Sequence, residues 1–227
     1  ELFMKKIQLI LLAVIILVAA SLRLYRLDQN PPSLYWDEAS LGYNAYAILT
    51  KGIDEHGERF PLARFIAFGD YKPPGYTYAI VPWLVLFGVN EFAVRFPSEI
   101  AGIFMVVFTY WLSKKMTGEK LIGLVAAGLL AVSPWSLQLS RAAFEAHLAA
   151  LYSLLGIICF IAGTKKSWLY IFSVIFFVLS FYTFNANRIL SPLFVILLIS
   201  IYRKEVRSAK KWLLMATIIG LILLMPS

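Results

Sequence analysis

The sequence has little charge, one cysteine and no glycine-rich phosphate-binding loop. Charged residues make up 15% of the 227 positions, whereas soluble globular domains average about 25%. Cys159 has no partner for an internal disulfide and lies in an apolar run, so it indicates nothing about the redox compartment. The missing loop is a motif with which many nucleotide-dependent enzymes bind phosphate. A soluble domain and a nucleotide site of that kind are therefore both disfavoured.

Apolar residues dominate the composition. They make up 60% of the chain, the mean hydropathy is +0.76 and the formal net charge is +8. The lysines and arginines are dispersed between apolar runs, so we predict no nucleic-acid partner and attribute the positive charge to membrane topology. Seven apolar runs are candidate bilayer crossings: Ile7–Leu22, Phe96–Leu112, Leu121–Leu139, Leu148–Ala162, Trp168–Thr183, Ile189–Tyr202 and Trp212–Met225.

An eighth apolar run, Tyr76–Val89, contains Pro82 and is shorter than the roughly 20 residues that a crossing needs. If this run does not cross, basic residues gather in short cytoplasmic connections, as the positive-inside rule requires. These residues are Lys5, Lys6, Lys114, Lys115, Lys120, Lys165, Lys166, Arg203, Lys204, Arg207, Lys210 and Lys211. We therefore predict an all-α polytopic membrane bundle of about seven spans, in which this run is an interfacial or re-entrant helix on the outside.

The amino-terminal run also has features of a signal peptide. Lys5 and Lys6 precede Ile7–Leu22, and Val18–Ala20 resembles a cleavage site. We predict an uncleaved anchor, because the chain stays hydrophobic to its end. Both interpretations place Arg23 outside the cytoplasm.

One side of the predicted membrane collects most of the acidic residues. Residues 23–95 form one long external loop, in which Asp37 and Glu38 are adjacent within the stretch LYWDEASLGYNAY. The acidic residues on that side, or at the outer end of a span, are Asp28, Asp37, Glu38, Asp54, Glu55, Glu58, Asp70, Glu91, Glu99 and Glu145. Acids beside a membrane are unfavourable unless they have partners or a function. The pattern predicts a polar site on one face of the bundle.

Four motifs in this region resemble the GT-C superfamily of integral-membrane glycosyltransferases. They are WDE at residues 36–38, YKPPGY at 71–76, NEFAVRFPSEIAG at 90–102 and SPWSLQLSRAAFE at 133–145, with a weaker likeness in NANR at 185–188. The likeness is greatest to the branch of protein O-mannosyltransferases and aminoarabinose transferases. It implies transfer of a sugar from a polyprenyl or dolichyl phosphate to an acceptor hydroxyl outside the cytoplasm, with inversion.

The resemblance also bears on domain organisation and location. Members of the superfamily are commonly longer, so we expect residues 1–227 to be a single transmembrane module, either a fragment or a minimal form. We expect an integral membrane protein, in a prokaryotic plasma membrane, whose site faces away from the cytoplasm. Its partners would be the lipid-linked donor, membrane lipids and an acceptor that is a protein, a lipid or a glycan.

Three acids are candidate catalytic residues. The resemblance places the catalytic acid of the family at Asp37, where a carboxylate can remove the proton of the acceptor hydroxyl; capping of a helix beginning near Glu38 is the alternative. Glu38 would orient Asp37, bind a metal or contact the sugar, or be an ordinary first-turn acid. Glu145 lies four residues after Arg141, so it is either a second carboxylate or the partner of Arg141 on one helical face.

Four cations are candidate ligands of the donor phosphate. Lys72 lies in the stiff YKPPGY segment, where it would act as a point charge or bind lipid headgroups. Arg95, Arg141 and Arg188 lie at the outer ends of three predicted spans, and arginine binds phosphate through a planar fork. Interfacial snorkelling of these arginines is the alternative.

Metal binding and sugar stacking stay open from the sequence. His147 and the run Asp54–Glu58 could supply ligands to a divalent cation, but a polar turn at Gly57 explains the run as well. We therefore predict no definite cofactor. External aromatic residues are mostly interfacial, although some could stack on sugar.

Two other functions compete with the transferase. A flippase for lipid-linked sugars would use the same cations without needing Asp37. Transporters often contain internal repeats and polar residues at mid-membrane, and neither is evident here. A non-catalytic subunit of a glycosylation complex is the third possibility.

Overall fold

The computed structural model describes residues 2–226, with side chains from residue 6 onward, and helices account for 74% of the chain. The helices are α1 (Leu2–Leu24), α2 (Trp36–Lys51), α3 (Gly75–Phe87), α4 (Glu91–Thr117), α5 (Lys120–Val132), α6 (Pro134–Arg141), α7 (Glu145–Gly163), α8 (Leu169–Phe181), α9 (Asn187–Ile201), α10 (Arg203–Ser208) and α11 (Lys210–Leu224). Strands β1 (Phe65–Ala67) and β2 (Asp70–Lys72) form an antiparallel hairpin between α2 and α3.

The predicted all-α membrane bundle is confirmed. Within residues 2–226, α1 from Lys6 onward, α4 and α7 are each long and apolar enough to cross a membrane, and the bent pair α5–α6 together would be a fourth. Helices α8, α9 and α11 have 13, 15 and 15 residues, so they are shorter than a usual crossing. The count of seven spans therefore stays a prediction, and it requires these short helices to cross as well.

The predicted span Leu121–Leu139 consists of two helices with a bend of 54° between them, so as a crossing it would be a broken span. Helix α5 ends at Val132, and Pro134 is the first residue of α6, where a missing N–H costs no helical hydrogen bond. The hydroxyl of Ser133 accepts a hydrogen bond from the backbone N–H of Ser136. The break redirects α6 toward the end of α1.

The apolar run with Pro82 forms α3, a 13-residue helix within the long first loop. Its buried residues Ile80 and Leu84 pack with Leu41 of α2 and Val94 of α4. The hydroxyl of Tyr76 donates to the backbone carbonyl of Val94 at 3.1 Å. The predicted helix is therefore present and docked on the bundle, while its position relative to a membrane stays a prediction.

The β-hairpin is an element that the sequence analysis missed. Phe65 pairs with Lys72 and Ala67 with Asp70, which leaves a two-residue turn. Two hydrogen bonds attach β2 and the residues after it to the loop after α8. The amide of Asn185 donates to the carbonyl of Tyr71 in β2 at 3.0 Å. The N–H of Gly75 donates to the Tyr182 carbonyl at 2.7 Å. The NANR and YKPPGY motifs are thereby held together.

Gly75→Ala is expected to destabilise this attachment. An added Cβ would lie 2.5 Å from Thr183 Oγ1 and 2.7 Å from the Tyr182 carbonyl oxygen. Overpacking of that kind costs about 1–3 kcal/mol, so we expect a lower unfolding temperature in detergent. Gly128→Ala is the matched control, because its Cβ would meet nothing closer than Ile15 Cδ1 at 3.9 Å. Equal unfolding temperatures for the two variants would contradict the prediction.

Candidate active site

The two adjacent acids of the WDE motif lie in different surroundings. Helix α2 begins at Trp36, so Asp37 and Glu38 are both in its first turn and point in directions about 100° apart. The side chain of Glu38 is 2% exposed, whereas that of Asp37 is 23% exposed. Only Asp37 is open to a molecule outside the fold.

Glu38 forms a buried ion pair with Arg95 of α4. Arg95 Nε donates to Glu38 Oε1 at 2.8 Å, and Arg95 Nη2 donates to Oε2 at 3.2 Å. The same carboxylate accepts the backbone N–H of Tyr35 at 3.0 Å, which fixes the start of α2. A buried carboxylate is stable only when it is paired and hydrogen-bonded in this way.

The remaining donors of Arg95 hold the segment between α1 and α2. Nη1 donates to the carbonyls of Leu27 and Pro31, both at 2.9 Å, and Nη2 donates to the carbonyl of Ser33 at 2.7 Å. A guanidinium has five N–H donors, and these contacts together with the pair to Glu38 occupy all of them. The predicted phosphate role of Arg95 stays a prediction, and the geometry favours a positioning role.

Asp37 contacts two polar side chains at the surface of the site. Lys72 Nζ lies 2.9 Å from Asp37 Oδ1, and the hydroxyl of Tyr35 donates to Asp37 Oδ2. These contacts replace the helix capping considered as an alternative, since the helix begins one residue before Asp37. Two further carboxylates lie near the same ammonium: Glu145 Oε1 is 4.0 Å and Asp70 Oδ2 is 3.7 Å from Lys72 Nζ.

The charges around Lys72 keep it protonated. Burial lowers the pKa of Lys72, but its hydrogen bond to Asp37 and the charges of Glu145, Asp37 and Asp70 outweigh burial and raise the pKa above its usual value. Burial and the hydrogen bond to Asp37 likewise raise the pKa of Tyr35. At neutral pH, Asp37 therefore receives hydrogen bonds from an ammonium and from a neutral phenol.

Arg141 is bound to backbone carbonyls at the end of α1. Its Nη1 donates to Leu22 and Arg23 at 2.9 Å each, and its Nη2 donates to Tyr25 at 3.1 Å and to Asn30 at 2.5 Å. Arginine commonly satisfies the free carbonyls at a helix C-terminus in this way. The phosphate role predicted for Arg141 stays untested, and these contacts favour a structural role.

Arg141 and Glu145 do not share a helix. Helix α6 ends at Arg141 and α7 begins at Glu145, and Ala143 between them has a positive φ of 49°. The alternative of an intrahelical pair with Arg141 is therefore excluded, and Glu145 Oε1 lies 4.0 Å from Lys72 Nζ instead. This break places a residue of the SRAAFE segment beside the hairpin.

Arg188, at the start of α9, is a predicted phosphate ligand whose guanidinium has a buried N–H donor without a partner among the described side chains. Its Nη2 lies 3.4 Å from the Ala63 carbonyl, and the guanidinium lies 5.7 Å from the ring centroid of Phe181. Its Nε is buried and has no hydrogen-bond partner within residues 6–226. The buried hydroxyl of Ser191, three positions later on α9, is also unpartnered there. Sequence reasoning missed Ser191, although its spacing places it on the same helical face as Arg188.

An apolar groove adjoins this end of α9. It has a volume of about 310 Å³ and lies between α8, α9 and α11. Phe181 and Ser191 line it together with apolar residues such as Phe177, Val195 and Leu221. Arg188 does not line the groove, but its guanidinium lies 5.7 Å from the ring of Phe181, which does.

Four aromatic rings form a chain of contacts past Asp37. Phe144 lies 6.2 Å from Tyr35, Tyr35 lies 6.2 Å from Trp36, and Trp36 stacks on Phe68 at 5.5 Å between ring centroids. Tyr35 directly precedes the WDE motif, and Phe144 directly precedes Glu145. Phe68 comes from the hairpin turn, which the sequence did not predict.

The candidate metal ligands do not converge. No group of three His, Cys, Asp or Glu side chains close enough to hold a metal occurs within residues 6–226. In the run after α2, Asp54 Oδ1 accepts the backbone N–H groups of His56 at 2.9 Å and Glu58 at 2.8 Å. This is the polar turn that was the alternative to metal binding. His147 is buried within the bundle.

The match to a protein family gives the class of this membrane helix bundle. Residues 13–225 match the family model "Dolichyl-phosphate-mannose-protein mannosyltransferase", and the chain belongs to this family of GT-C type. An uncharacterised protein of Aquifex aeolicus (strain VF5) is 31% identical over 102 residues, which cover 41% of this chain and 20% of that relative's length. No solved structure matches the chain.

Proposed function

We propose that this protein transfers a sugar from a polyprenyl-phosphate donor to an acceptor hydroxyl outside the cytoplasm, with Asp37 as the general base. The observation that supports this role is the division of the acid pair. Glu38 is sequestered by Arg95, whereas Asp37 is partly exposed and oriented by Tyr35 and Lys72. The match to a family named for a dolichyl-phosphate-mannose donor supports this class of donor and makes mannose the first sugar to test.

The reaction is a single displacement at the anomeric carbon. The acceptor oxygen forms a bond to that carbon as the bond from carbon to the phosphate oxygen breaks, which inverts the configuration. The electron pair of the broken bond leaves with the lipid phosphate. The proton of the acceptor hydroxyl passes to the Asp37 carboxylate, which is the role of a general base.

Lys72 and Glu145 orient Asp37 in this proposal. Three carboxylates surround Lys72 within 4.0 Å, so an added phosphate there would meet several like charges. The geometry therefore favours Lys72 as the group that holds Asp37 in place, with Glu145 fixing the ammonium from the other side. Glu38 and Arg95 do not contact the substrate in this proposal; they fix the first turn of α2, on which Asp37 lies.

The donor phosphate binds Arg188 in this proposal. Arg188 Nε and Ser191 Oγ are buried polar atoms without partners within the described side chains, and both are groups that can donate a hydrogen bond to a phosphate. The adjoining apolar groove is suited to the isoprenoid tail. Contacts of Arg188 with Ala63 and of Asn185 with Tyr71 connect this end of α9 to the hairpin that contains Lys72.

Arg188→Gln is expected to raise the KM for the lipid-linked donor about 10- to 100-fold, because a hydrogen bond to a charged group contributes about 1.5–3 kcal/mol. The measurement is initial transfer rate against donor concentration in lipid nanodiscs. Arg203→Gln is the control, since Arg203 is an exposed residue of α10. Equal donor KM values in the two variants would show that Arg188 does not bind the donor phosphate.

The general test of the function uses purified protein, radiolabelled polyprenyl-phosphate sugars and acceptors of each class: peptides, lipids and glycans. We expect release of free polyprenyl phosphate together with a labelled acceptor, and loss of both in an Asp37 variant. Transfer of the intact lipid from one leaflet to the other, with no acceptor labelled, would contradict the proposal and indicate a flippase.

A further inference from the structure

The turn of the β-hairpin contains a residue that is poorly suited to it. Phe68 and Gly69 are the two central residues of the turn, and their φ values are +52° and +80°. A two-residue turn with two positive φ values favours Asn-Gly, since bulky side chains are strained there. Folding alone would favour asparagine at position 68, so the phenylalanine requires another explanation.

Phe68 is also exposed, and so is the residue on which it stacks. The exposed fractions are 67% for Phe68 and 61% for Trp36. Their ring centroids are 5.5 Å apart, with 24° between the ring planes. Phe68 of the hairpin thus stacks on Trp36, the first residue of α2. The stack explains how the hairpin is held, but it leaves large ring faces uncovered beside Asp37.

Charged residues lie on both sides of Phe68 along the chain, at Arg64 and Asp70. The side chain of Asp70, two residues after Phe68, is 62% exposed, and the guanidinium of Arg64 lies 4.8 Å from the Tyr71 ring centroid. Such charges are unfavourable in a hydrocarbon environment, so they argue against insertion of the hairpin tip into lipid. A sugar has an apolar C–H face and hydroxyl groups at its edge. Aromatic rings with a few convergent polar groups are suited to it.

We propose that Trp36 and Phe68 form the platform on which the sugar ring of the lipid-linked donor stacks, with Asp70 accepting a hydrogen bond from one of its hydroxyls. This inference rests on the donor class of the proposed function. The platform is connected to the proposed base through Tyr35, whose ring lies 6.2 Å from that of Trp36 and whose hydroxyl donates to Asp37. Phe68 thereby serves sugar binding in addition to holding the hairpin against Trp36.

The test compares the binding of two lipids by isothermal titration calorimetry in nanodiscs: polyprenyl phosphate and polyprenyl-phosphate mannose. The wild-type protein is expected to bind the mannosyl lipid more tightly than the bare lipid. Phe68→Asn, which suits the turn, should reduce this ratio of Kd values about three- to tenfold, the equivalent of one aromatic contact. Its Kd for the bare lipid should not change, and its unfolding temperature should change little, because relief of the strained turn offsets loss of the stack on Trp36. Phe68→Tyr should keep the ratio.

A second exposed aromatic pair supplies the control. Trp168 and Phe172 have the same separation of 5.5 Å between centroids at the opposite end of the bundle, so Phe172→Ala should leave the Kd ratio unchanged. A wild-type ratio near one, or a full ratio in Phe68→Asn, would overturn the platform. An equal loss of affinity for both lipids would also overturn it, because the ring would then act on lipid rather than on sugar.

The outcomes separate this inference from the proposed function. Sugar-dependent binding that Phe68→Asn removes, without transfer to any acceptor, would support the platform and contradict the transferase. Transfer that depends on Asp37, with a full Kd ratio in Phe68→Asn, would support the transferase and contradict the platform.

Discussion

Replacement of Asp37 by asparagine is expected to lower the rate of sugar transfer about 10²- to 10⁴-fold, which is the range that a general base contributes. Asparagine has nearly the same shape but cannot accept the proton of the acceptor hydroxyl. The fold should tolerate it, because Lys72 keeps the carboxylates of Asp70 and Glu145 within 4.0 Å when the charge of Asp37 is lost. The expected signature is therefore loss of turnover with little loss of stability.

The measurement is single-turnover transfer from a radiolabelled donor, together with thermal unfolding of the same preparation. Asp28→Asn is the matched control, because Asp28 is an exposed acid of the same loop. Among the described side chains, its Oδ2 accepts a hydrogen bond only from the side-chain amide of Gln29, at 3.4 Å. Turnover by Asp37→Asn at the rate of Asp28→Asn would exclude Asp37 as the general base of the proposed reaction.

Replacement of Arg95 by methionine is expected to lower stability as well as activity. It leaves the Glu38 carboxylate buried without its partner, and removal of one member of a buried ion pair costs about 3–5 kcal/mol. It also leaves the carbonyls of Leu27, Pro31 and Ser33 without their donor. For a chain of this size the unfolding temperature should fall by roughly 6–20 °C, and activity should be lost with it.

A double-mutant cycle isolates the pair. Glu38→Gln and Arg95→Met should each destabilise strongly, and the double variant should be less destabilised than the sum of the two, because no unpaired charge is left buried. Arg207→Met on the exposed face of α10 is the control for the loss of an arginine. Additive effects of the two substitutions, or an unchanged unfolding temperature in Arg95→Met, would contradict the positioning role.

Much of the architecture was predictable from the sequence. Each of the seven apolar runs lies on one or two helices, and the first loop contains α2 and α3. These features follow from hydrophobicity and from proline, which act locally along the chain. The adjacent acids Asp37 and Glu38 were predictable as a candidate site for the same reason, since charges beside apolar runs need an explanation.

The assignment of roles to the charged residues was not predictable. Arg95, Arg141 and Arg188 occupy similar places at the ends of apolar runs, so the sequence treats them alike. In the structure Arg95 and Arg141 have their donors on Glu38 and on backbone carbonyls, whereas Arg188 has a buried donor left over. The hairpin with Phe68 and Lys72 was missed because each strand has three residues, too few for a periodic pattern.

The amino-acid sequence by itself determined the membrane-helix class, the first loop and the location of its acidic pair. The tertiary structure decided which acid is buried and which is open, and which cations are already paired. The physical reason is that apolar periodicity is a property of neighbouring residues. Ion pairs join residues distant along the chain, as Glu38 and Arg95 do across 57 positions, and only the packing of α2 against α4 brings those two together.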